Sequence, residues 1–284
     1  MSATPSPTDA VRRLNVTDIA RMYGDGERIA MLTAYDYPTA KLLDEAGIPL
    51  LLVGDSLGRA MLGYENELSV TMDDMLHHAA AVTRGARRAL VVGDMPFLSY
   101  ATTDDALKNA GRFIHDASVQ AVKVEGGVRS ARIIETLVKA GIPVMGHIGF
   151  TPQSEHQLGG YRVQGRGDDA QRLLDDAHAV EDAGAFGVVL EMVPGDLARK
   201  VTGELEIPTV GIGAGPDCDA QVLVWQDMLG LRRGKMQRFV KQYADLAKII
   251  GDAAGAYVDE VRNGTFPSEQ HTFASTIPIP EGKS

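Results

Sequence analysis

Several short apolar runs in this sequence end in a carboxylate, just where the run gives way to glycine or to a turn. They end in Asp55-Ser56, Asp94, Glu125 and Glu191. An unpaired charge is costly inside a buried strand and belongs at its solvent-facing end. Because the carboxyl ends of parallel strands share one rim, the pattern predicts carboxylates that converge on a metal or proton-transfer site.

Further reactive side chains lie near the ends of these and neighbouring apolar runs. Lys123 precedes Glu125 by two residues in one run, so both side chains point to the same face of the strand, which in a barrel is the interior mouth. His147 lies in the next run, and Asp36 follows the first. Each residue also has a structural interpretation: a salt bridge for Lys123 with Glu125, a hydrogen-bonded core histidine, and a turn or helix cap for the aspartates and for Glu191.

The metal ligands that the pattern predicts are Asp55, Asp94 and Glu125, which offer hard oxygen atoms. This set suits Mg²⁺, or Mn²⁺, rather than zinc or copper. An α-keto acid can chelate such an ion, which would stabilise the enolate formed when a base removes the adjacent proton. Glu191, four strands from Asp55 and so across the mouth, is the predicted base. We expect its apolar surroundings to raise its pKa.

Eight apolar runs with turn residues after them are candidate strands. The predicted strands are Ile29–Ala34, Leu50–Gly54, Leu90–Asp94, Ala121–Glu125, Val144–Ile148, Gly187–Glu191, Thr209–Gly213 and Val222–Asp227. The predicted helices between them include Asp73–Arg88, Asp104–Ser118, Ser130–Ala140 and Asp168–Ala183. Eight β-then-α units predict an α/β protein with a closed (β/α)8 TIM barrel, and an open doubly wound sheet is the alternative. The eighth strand has the weakest pattern because Trp225 and Gln226 interrupt it.

The pattern divides the chain into three segments. We predict a flexible N-terminal leader over residues 1–14 and a single catalytic barrel over residues 15–263. A C-terminal tail over residues 264–284 has no helical period, and we expect it to be flexible or docked on a neighbouring subunit. Phe150–Gly167 is a long glycine-rich loop after the fifth strand, of the kind that often forms a lid or a binding loop.

Composition narrows the class of protein. The chain has 284 residues and a formal net charge of -10, which argues against nonspecific binding to nucleic acid or to anionic membranes. Its single cysteine, Cys218, excludes an internal disulfide and a multi-cysteine zinc site. The sequence contains no apolar run as long as the roughly 18 residues of a membrane span. A soluble cytoplasmic protein is therefore expected.

The chain resembles the ketopantoate hydroxymethyltransferase family between about Leu14 and Phe239. The resembling segments are Thr33–Asp36, Val53–Gly58, Gly93–Phe97, Val122–Gly127, Gly146–Gln153, Leu190–Glu191 and Gly211–Gly215. The resemblance implies a (β/α)8 barrel of the phosphoenolpyruvate/pyruvate-utilising type. It also implies transfer of a one-carbon unit from 5,10-methylenetetrahydrofolate to 3-methyl-2-oxobutanoate, giving 2-dehydropantoate on the route to pantothenate and coenzyme A.

The resemblance also implies a role for each candidate residue. The implied metal ligands are Asp55 and Asp94, which bind Mg²⁺ directly, and Glu125, which binds directly or through water. The implied substrate-binding residues are Asp55, Ser56, Asp94, Lys123 and His147, with Ser56 and Lys123 as partners of the substrate carboxylate. Glu191 resembles the general base. Family members assemble as homo-oligomers, commonly decamers, which we expect here as well.

Two alternatives stay open on sequence grounds. A phosphoenolpyruvate mutase or isocitrate lyase type of barrel also holds Mg²⁺ and an enolate at this rim. Lyases of that kind usually carry a Lys-Lys-Cys-Gly-His loop, and this sequence has none. The other alternative is a non-catalytic barrel that serves as a binding or scaffold protein. Mg²⁺-dependent loss of the C3 hydrogen of 3-methyl-2-oxobutanoate without folate separates these possibilities.

Overall fold

The computed structural model describes residues 12–234 and 236–274. The strands are β1 Ile29–Thr33, β2 Leu50–Val53, β3 Leu90–Asp94, β4 Ala121–Glu125, β5 Val144–Gly149, β6 Gly187–Glu191, β7 Thr209–Ile212 and β8 Ala220–Leu223. All neighbouring strands are parallel and pair in chain order, and β8 closes the barrel against β1. The predicted TIM barrel is confirmed, and the open doubly wound sheet is excluded.

Helices follow the strands as the pattern predicts. Among the described residues they are α1 Val16–Gly24, α2 Tyr37–Glu45, α3 Leu57–Ala60, α4 Met72–Gly85, α5 Thr103–Ala117, α6 Ala131–Lys139, α7 Glu155–Leu158, α8 Asp169–Asp182, α9 Gly195–Glu204, α10 Trp225–Met228 and α11 Leu246–Arg262. Short 3-10 turns lie at Glu67–Ser69, Val128–Ser130, Pro152–Ser154 and Glu269–His271. The start of α4 shows why a helix begins where it does. Thr71 and Asp74 cap each other's backbone N–H groups there. The four predicted helices correspond to α4, α5, α6 and α8.

The predicted eighth strand, Val222–Asp227, is wrong in position. β8 begins two residues earlier, at Ala220, and ends at Leu223, and a short helix follows from Trp225. The backbone N–H of Trp225 donates to Thr33 Oγ1 at 3.1 Å, so a side chain of β1 takes the donor that a longer strand would use in the sheet. Trp225 and Gln226, which interrupt the strand pattern in the sequence, belong to the short helix α10.

Alternation along each strand separates two cores. On β4, Val122 and Val124 belong to the apolar layer between the strands and the helices. Ala121 belongs to the apolar cluster inside the barrel, and Lys123 and Glu125 share its face of the strand. The lower inward positions are therefore apolar, and the last inward positions, at the carboxyl ends, carry the charged residues.

The described residues divide into two compact units. One comprises residues 12–225 and 237–240 and contains the barrel; the other comprises residues 226–234, 236 and 241–274 and contains α11. The predicted boundaries at residues 14 and 263 stay predictions, as does the homo-oligomer. Residues 1–11 of the predicted leader and residues 275–284 of the predicted tail lie outside the described residues. Among residues 12–234 and 236–274, none of the helices combines the length and apolar character needed to cross a membrane.

Candidate active site

Strand register brings the predicted residues to one level at the carboxyl ends of the strands. Asp94 on β3 is the partner of Lys123 on β4. Glu125, two residues further along β4, is the partner of His147 on β5. Glu191 ends β6, next to the end of β5. Side chains that are far apart in the chain thus form a single polar layer at the mouth of the barrel.

Lys123 lies at the centre of this layer. Its side chain is only 3% exposed, and its Nζ lies 2.7 Å from Asp94 Oδ1 and 3.7 Å from Glu125 Oε1. The same ammonium contacts His147 Nδ1 at 3.2 Å. Burial alone would lower the pKa of Lys123, but the surrounding carboxylates raise it, so the ammonium stays charged. The salt bridge with Glu125 that the sequence allowed is present but long, and Asp94 is the closer partner.

His147 joins the two sides of the layer. Its Nδ1 lies 3.3 Å from Glu125 Oε1, and its Nε2 lies 3.3 Å from Glu191 Oε2. Burial and the charge of Lys123 lower the pKa of His147, so the neutral ring is favoured. Because an ammonium can only donate, Nδ1 accepts from Lys123 and the ring proton lies on Nε2, facing Glu191. His147 thereby presents an N–H toward the predicted base.

Asp55 and Ser56 follow β2 on the opposite side of the mouth. The Asp55 side chain is buried, and its backbone N–H donates to Asp94 Oδ2 at 3.2 Å, which ties the two predicted metal ligands together. The half-buried Ser56 hydroxyl lies 2.8 Å from the hydroxyl of Tyr35, a fully buried side chain. Tyr35 therefore fixes the direction of the Ser56 hydroxyl.

Asp36 does not join the layer, although it was expected at the same rim. Its Oδ1 accepts from the backbone N–H of Thr39 at 2.7 Å, and its side chain caps the start of α2. The helix-cap interpretation is the one that the structure supports for this residue.

The layer carries more negative than positive charge. Four carboxylates surround one ammonium: those of Asp55, Asp94, Glu125 and Glu191. Burial raises the pKa of each of these four carboxyl groups, and neighbouring carboxylates raise those of Asp55 and Asp94 further. For Glu191 the direction agrees with the expected one, although the contact with His147 partly offsets it. A cation at this position would compensate the excess charge.

The donor set fits a hard divalent cation. Within residues 12–234 and 236–274, no three His, Cys, Asp or Glu side chains stand ready as a complete metal cage. Mg²⁺ does not need one, because it keeps several waters and usually takes one or two carboxylates together with substrate oxygens. Glu125 Oε1 is buried and accepts no hydrogen bond from the described residues, which leaves an oxygen available. Asp55 and Asp94, joined through a backbone N–H, supply the others.

The sequence pattern missed two residues that contact the layer. Gln153 is buried, and its Nε2 donates to Asp55 Oδ2 at 2.8 Å. The Tyr100 hydroxyl donates to Gln153 Oε1 at 2.5 Å. Gln153 stood in a resembling segment but was given no role, and nothing in the local sequence distinguished Tyr100.

The glycine-rich loop Phe150–Gly167 contains short helical turns and lies against the same mouth. Arg59 on α3 lies 3.2 Å from Glu155 of this loop and 3.0 Å from Glu67. Its guanidinium also lies 5.1 Å from the centre of the Tyr161 ring, a cation–π distance. The loop is therefore fastened to the segment that follows β2, while its function as a lid stays a prediction.

Comparison with known proteins now decides the family. A family model described as ketopantoate hydroxymethyltransferase matches residues 13–269. The chain belongs to the ketopantoate hydroxymethyltransferase family. A 3-methyl-2-oxobutanoate hydroxymethyltransferase from Streptomyces coelicolor is 60% identical over 263 residues, covering 92% of this chain and 90% of the relative. Another, from Chloroflexus aurantiacus, is 57% identical over 261 residues and covers 92% of each chain.

Solved structures with the same fold are far more distant in sequence. A phosphoenolpyruvate phosphomutase from Streptomyces platensis subsp. rosaceus has a TM-score of 0.60 at 16% identity, covering 92% of each chain. A 2,3-dimethylmalate lyase of the PEP mutase/isocitrate lyase superfamily has a TM-score of 0.58 at 16% identity, covering 91% of each chain. These likenesses show the TIM-barrel fold alone, and the family membership confirms that the chain is a hydroxymethyltransferase.

Proposed function

We propose that this chain transfers a hydroxymethyl group from 5,10-methylenetetrahydrofolate to 3-methyl-2-oxobutanoate, with Mg²⁺ as cofactor. The reaction consumes one water and gives 2-dehydropantoate and tetrahydrofolate, on the route to pantothenate and coenzyme A. The relatives at 57% and 60% identity bear the name of this activity. The observation that carries the proposal is the single buried contact network from Asp94 through Lys123 and His147 to Glu191.

The keto acid binds at the mouth through its carboxylate. Lys123 has three N–H donors, and in the described part of the chain its ammonium contacts His147 Nδ1 and forms an ion pair with Asp94, so a donor can reach the substrate. Ser56, with its hydroxyl fixed by Tyr35, provides the second partner. Both residues lie beside the carboxylates that would hold the metal, so a chelating α-keto acid can contact both sets.

Asp55 and Asp94 would hold Mg²⁺ directly, and Glu125 would hold it directly or through water. When bound, the cation supplies Lewis-acid polarisation of the substrate's keto group. The Lys123 ammonium favours the ionised form of Asp94 against the effect of burial, and burial keeps bulk water away from the layer. These chain residues thus prepare oxygen ligands of defined orientation before the substrate arrives.

Glu191 removes the proton from C3 of the keto acid. Its side chain is 14% exposed, so an edge of the carboxylate is open to a substrate, while Nε2 of His147 lies 3.3 Å from Oε2. Its raised pKa favours a base that can hold the proton near neutral pH. C3 and a water oxygen then form bonds to the methylene carbon of the folate, and both bonds from that carbon to the two folate nitrogens break. The proton taken from C3 and one proton of the water end on those two nitrogens, which gives tetrahydrofolate.

The test is exchange of the C3 hydrogen of 3-methyl-2-oxobutanoate in deuterated water with Mg²⁺ and without folate, followed by proton NMR. Glu191→Gln should slow the exchange by about 10²-fold or more, because it removes the base while keeping the shape of the side chain. It should leave binding of the keto acid in place. The matched control is Glu204→Gln, since Glu204 forms a second His–Glu pair at the surface, 3.2 Å from His178.

Three outcomes would contradict the proposal or part of it. Unchanged exchange in Glu191→Gln would remove Glu191 from the role of base. Absence of Mg²⁺-dependent exchange in the parent protein would favour a barrel with another substrate or a binding protein. Exchange without any product when methylenetetrahydrofolate is added would keep the enolate chemistry but exclude this folate as the one-carbon donor.

A further inference from the structure

Gln153 has an unusual position for a loop residue. It lies in the 3-10 turn Pro152–Ser154, at the start of the glycine-rich loop, and its side chain is 6% exposed. Its Nε2 donates to Asp55 Oδ2 at 2.8 Å and to the backbone carbonyl of Met95 at 2.9 Å. Its backbone N–H donates to Glu125 Oε2 at 3.1 Å. One residue thus contacts two carboxylates that come from different strand ends.

Tyr100 fixes the orientation of this amide. The Tyr100 hydroxyl donates to Gln153 Oε1 at 2.5 Å, while both groups that face Nε2 are acceptors. A flipped amide would place its oxygen against Asp55 Oδ2 and the Met95 carbonyl, where no hydrogen bond can form. Tyr100 also holds Oε1 away from that side. The Gln153 amide therefore has one orientation in which all of its partners are satisfied.

We propose that Gln153, held by Tyr100, is a positioning residue for the divalent cation. It binds one oxygen of Asp55 and one oxygen of Glu125 and so sets the angle of both carboxylates. Glu125 Oε1, the other oxygen of that carboxylate, accepts no hydrogen bond from the described residues. Hydrogen-bonding partners of metal ligands orient them, and loss of such a partner typically weakens metal binding about 10–100-fold. The inference rests on the proposed function, because the cation is part of it.

The position of Gln153 also connects the cation to the loop. Gln153 and Ser154 belong to the same 3-10 turn, and the Ser154 hydroxyl accepts from Arg129 at 2.7 Å. The next residue after this turn, Glu155, pairs with Arg59. A change that loosens the start of the loop should therefore weaken cation binding, and cation binding should in turn order the loop, because such coupling is reciprocal.

The experiment is a titration of the metal-free full-length protein with Mn²⁺ alone, with free Mn²⁺ followed by electron paramagnetic resonance. Gln153→Leu should raise the Kd for Mn²⁺ about 10–100-fold. Tyr100→Phe removes one oxygen atom and keeps the ring, so it should fold as the parent does and raise the Kd several-fold. The matched control is Gln164→Leu, because Gln164 is a buried glutamine of the same loop whose Nε2 donates only to the backbone carbonyl of Arg162 among the bonds described.

A second readout separates positioning from a structural role. The C3 exchange rate of Gln153→Leu and Tyr100→Phe should recover toward the parent rate at saturating Mg²⁺, with a raised half-saturating concentration. Parent-like Mn²⁺ affinity in both variants would overturn the inference and leave the proposed function intact. If the parent itself bound no Mn²⁺, or bound it equally well with Asp55→Asn and Asp94→Asn, the proposed metal site would fail, and the inference with it.

Discussion

Replacing Lys123 with methionine should destabilise the protein far more than removing a surface lysine. The Lys123 side chain is 3% exposed, and its Nζ lies 2.7 Å from Asp94 Oδ1. Methionine has a similar length but no charge, so the variant buries Asp94 and its neighbouring carboxylates without their ammonium. Removing one partner of a buried ion pair costs about 3–5 kcal/mol. At about 2–4 °C per kcal/mol for a large domain, we expect Tm to fall by about 6–20 °C at pH 7.

The control is Lys139→Met, on the surface of α6. Lys139 pairs with Glu135 at 2.5 Å, but the two side chains are 71% and 51% exposed. Such exposed helix pairs contribute little to stability because solvent screens them, so its Tm should move by no more than about 2 °C. Scanning calorimetry of the metal-free proteins measures both variants. A Lys123→Met protein whose Tm lay as close to the parent as that of the control would refute the assignment of Lys123 as the essential buried countercharge.

The Tm of the same variant should also depend on pH, in a direction that follows from the pKa of Asp94. Burial raises the pKa of Asp94 in the folded protein, and removal of Lys123 should raise it further. An acid whose pKa is higher in the folded than in the unfolded state loses stability as the pH rises above its unfolded value. The Tm of Lys123→Met should therefore fall more steeply than that of the parent between pH 5 and pH 8. Parallel curves would contradict the electrostatic explanation.

Burial and packing give two further expectations. Burial, with the charge of Asp55, raises the pKa of Glu67 to about 7, so ionisation of Glu67 destabilises the fold as the pH rises. The Tm of Glu67→Gln should therefore fall less than that of the parent between pH 5 and pH 8. Equal decreases in Tm would contradict this role of Glu67. A Cβ on Gly93 would lie 2.6 Å from the Phe113 ring, so Gly93→Ala should lower the free energy of unfolding by about 1–3 kcal/mol, measured by calorimetry. Adding Phe113→Leu should recover part of this loss. A Gly93→Ala protein as stable as the parent would contradict the packing argument.

Most of the fold could be predicted because its determinants are local. Apolar runs of strand length, each with turn residues after it, identified seven strands within two residues at each end, and a period of two placed Lys123 and Glu125 on one face. β8 was misplaced because its end is set by a distant residue. The Thr33 hydroxyl, nearly 200 positions earlier, accepts from the backbone of Trp225, and no pattern around Trp225 reports that bond.

The difference between local and distant determinants also explains which residues of the site could be predicted from the sequence. Asp36 and Asp94 look alike in sequence, since each follows an apolar run, yet one caps a helix and the other contacts Lys123. Only the register of neighbouring strands separates them. Gln153 and Tyr100 lie 53 positions apart and meet through the packing of two loops, so their contact has no local signature. The members of the layer were predictable where they lie in a strand or directly after one, and not where they lie further along a loop.

The register of a few strands also explains why the layer can exist. Below it, inward residues such as Val92 and Ala121 close the barrel with apolar contacts, and most of the charged groups above them are almost fully buried. Lys123 neutralises one carboxylate, and four are present. Excess buried charge destabilises a fold. The raised pKa values of the carboxyl groups reflect this cost, because burial disfavours their ionised form. The arrangement is poorly suited to stability alone, because apolar side chains at these positions would pack without penalty. It suits a site whose charge balance is completed by a bound cation, so stability of the empty barrel and affinity for that cation must oppose each other at the same residues.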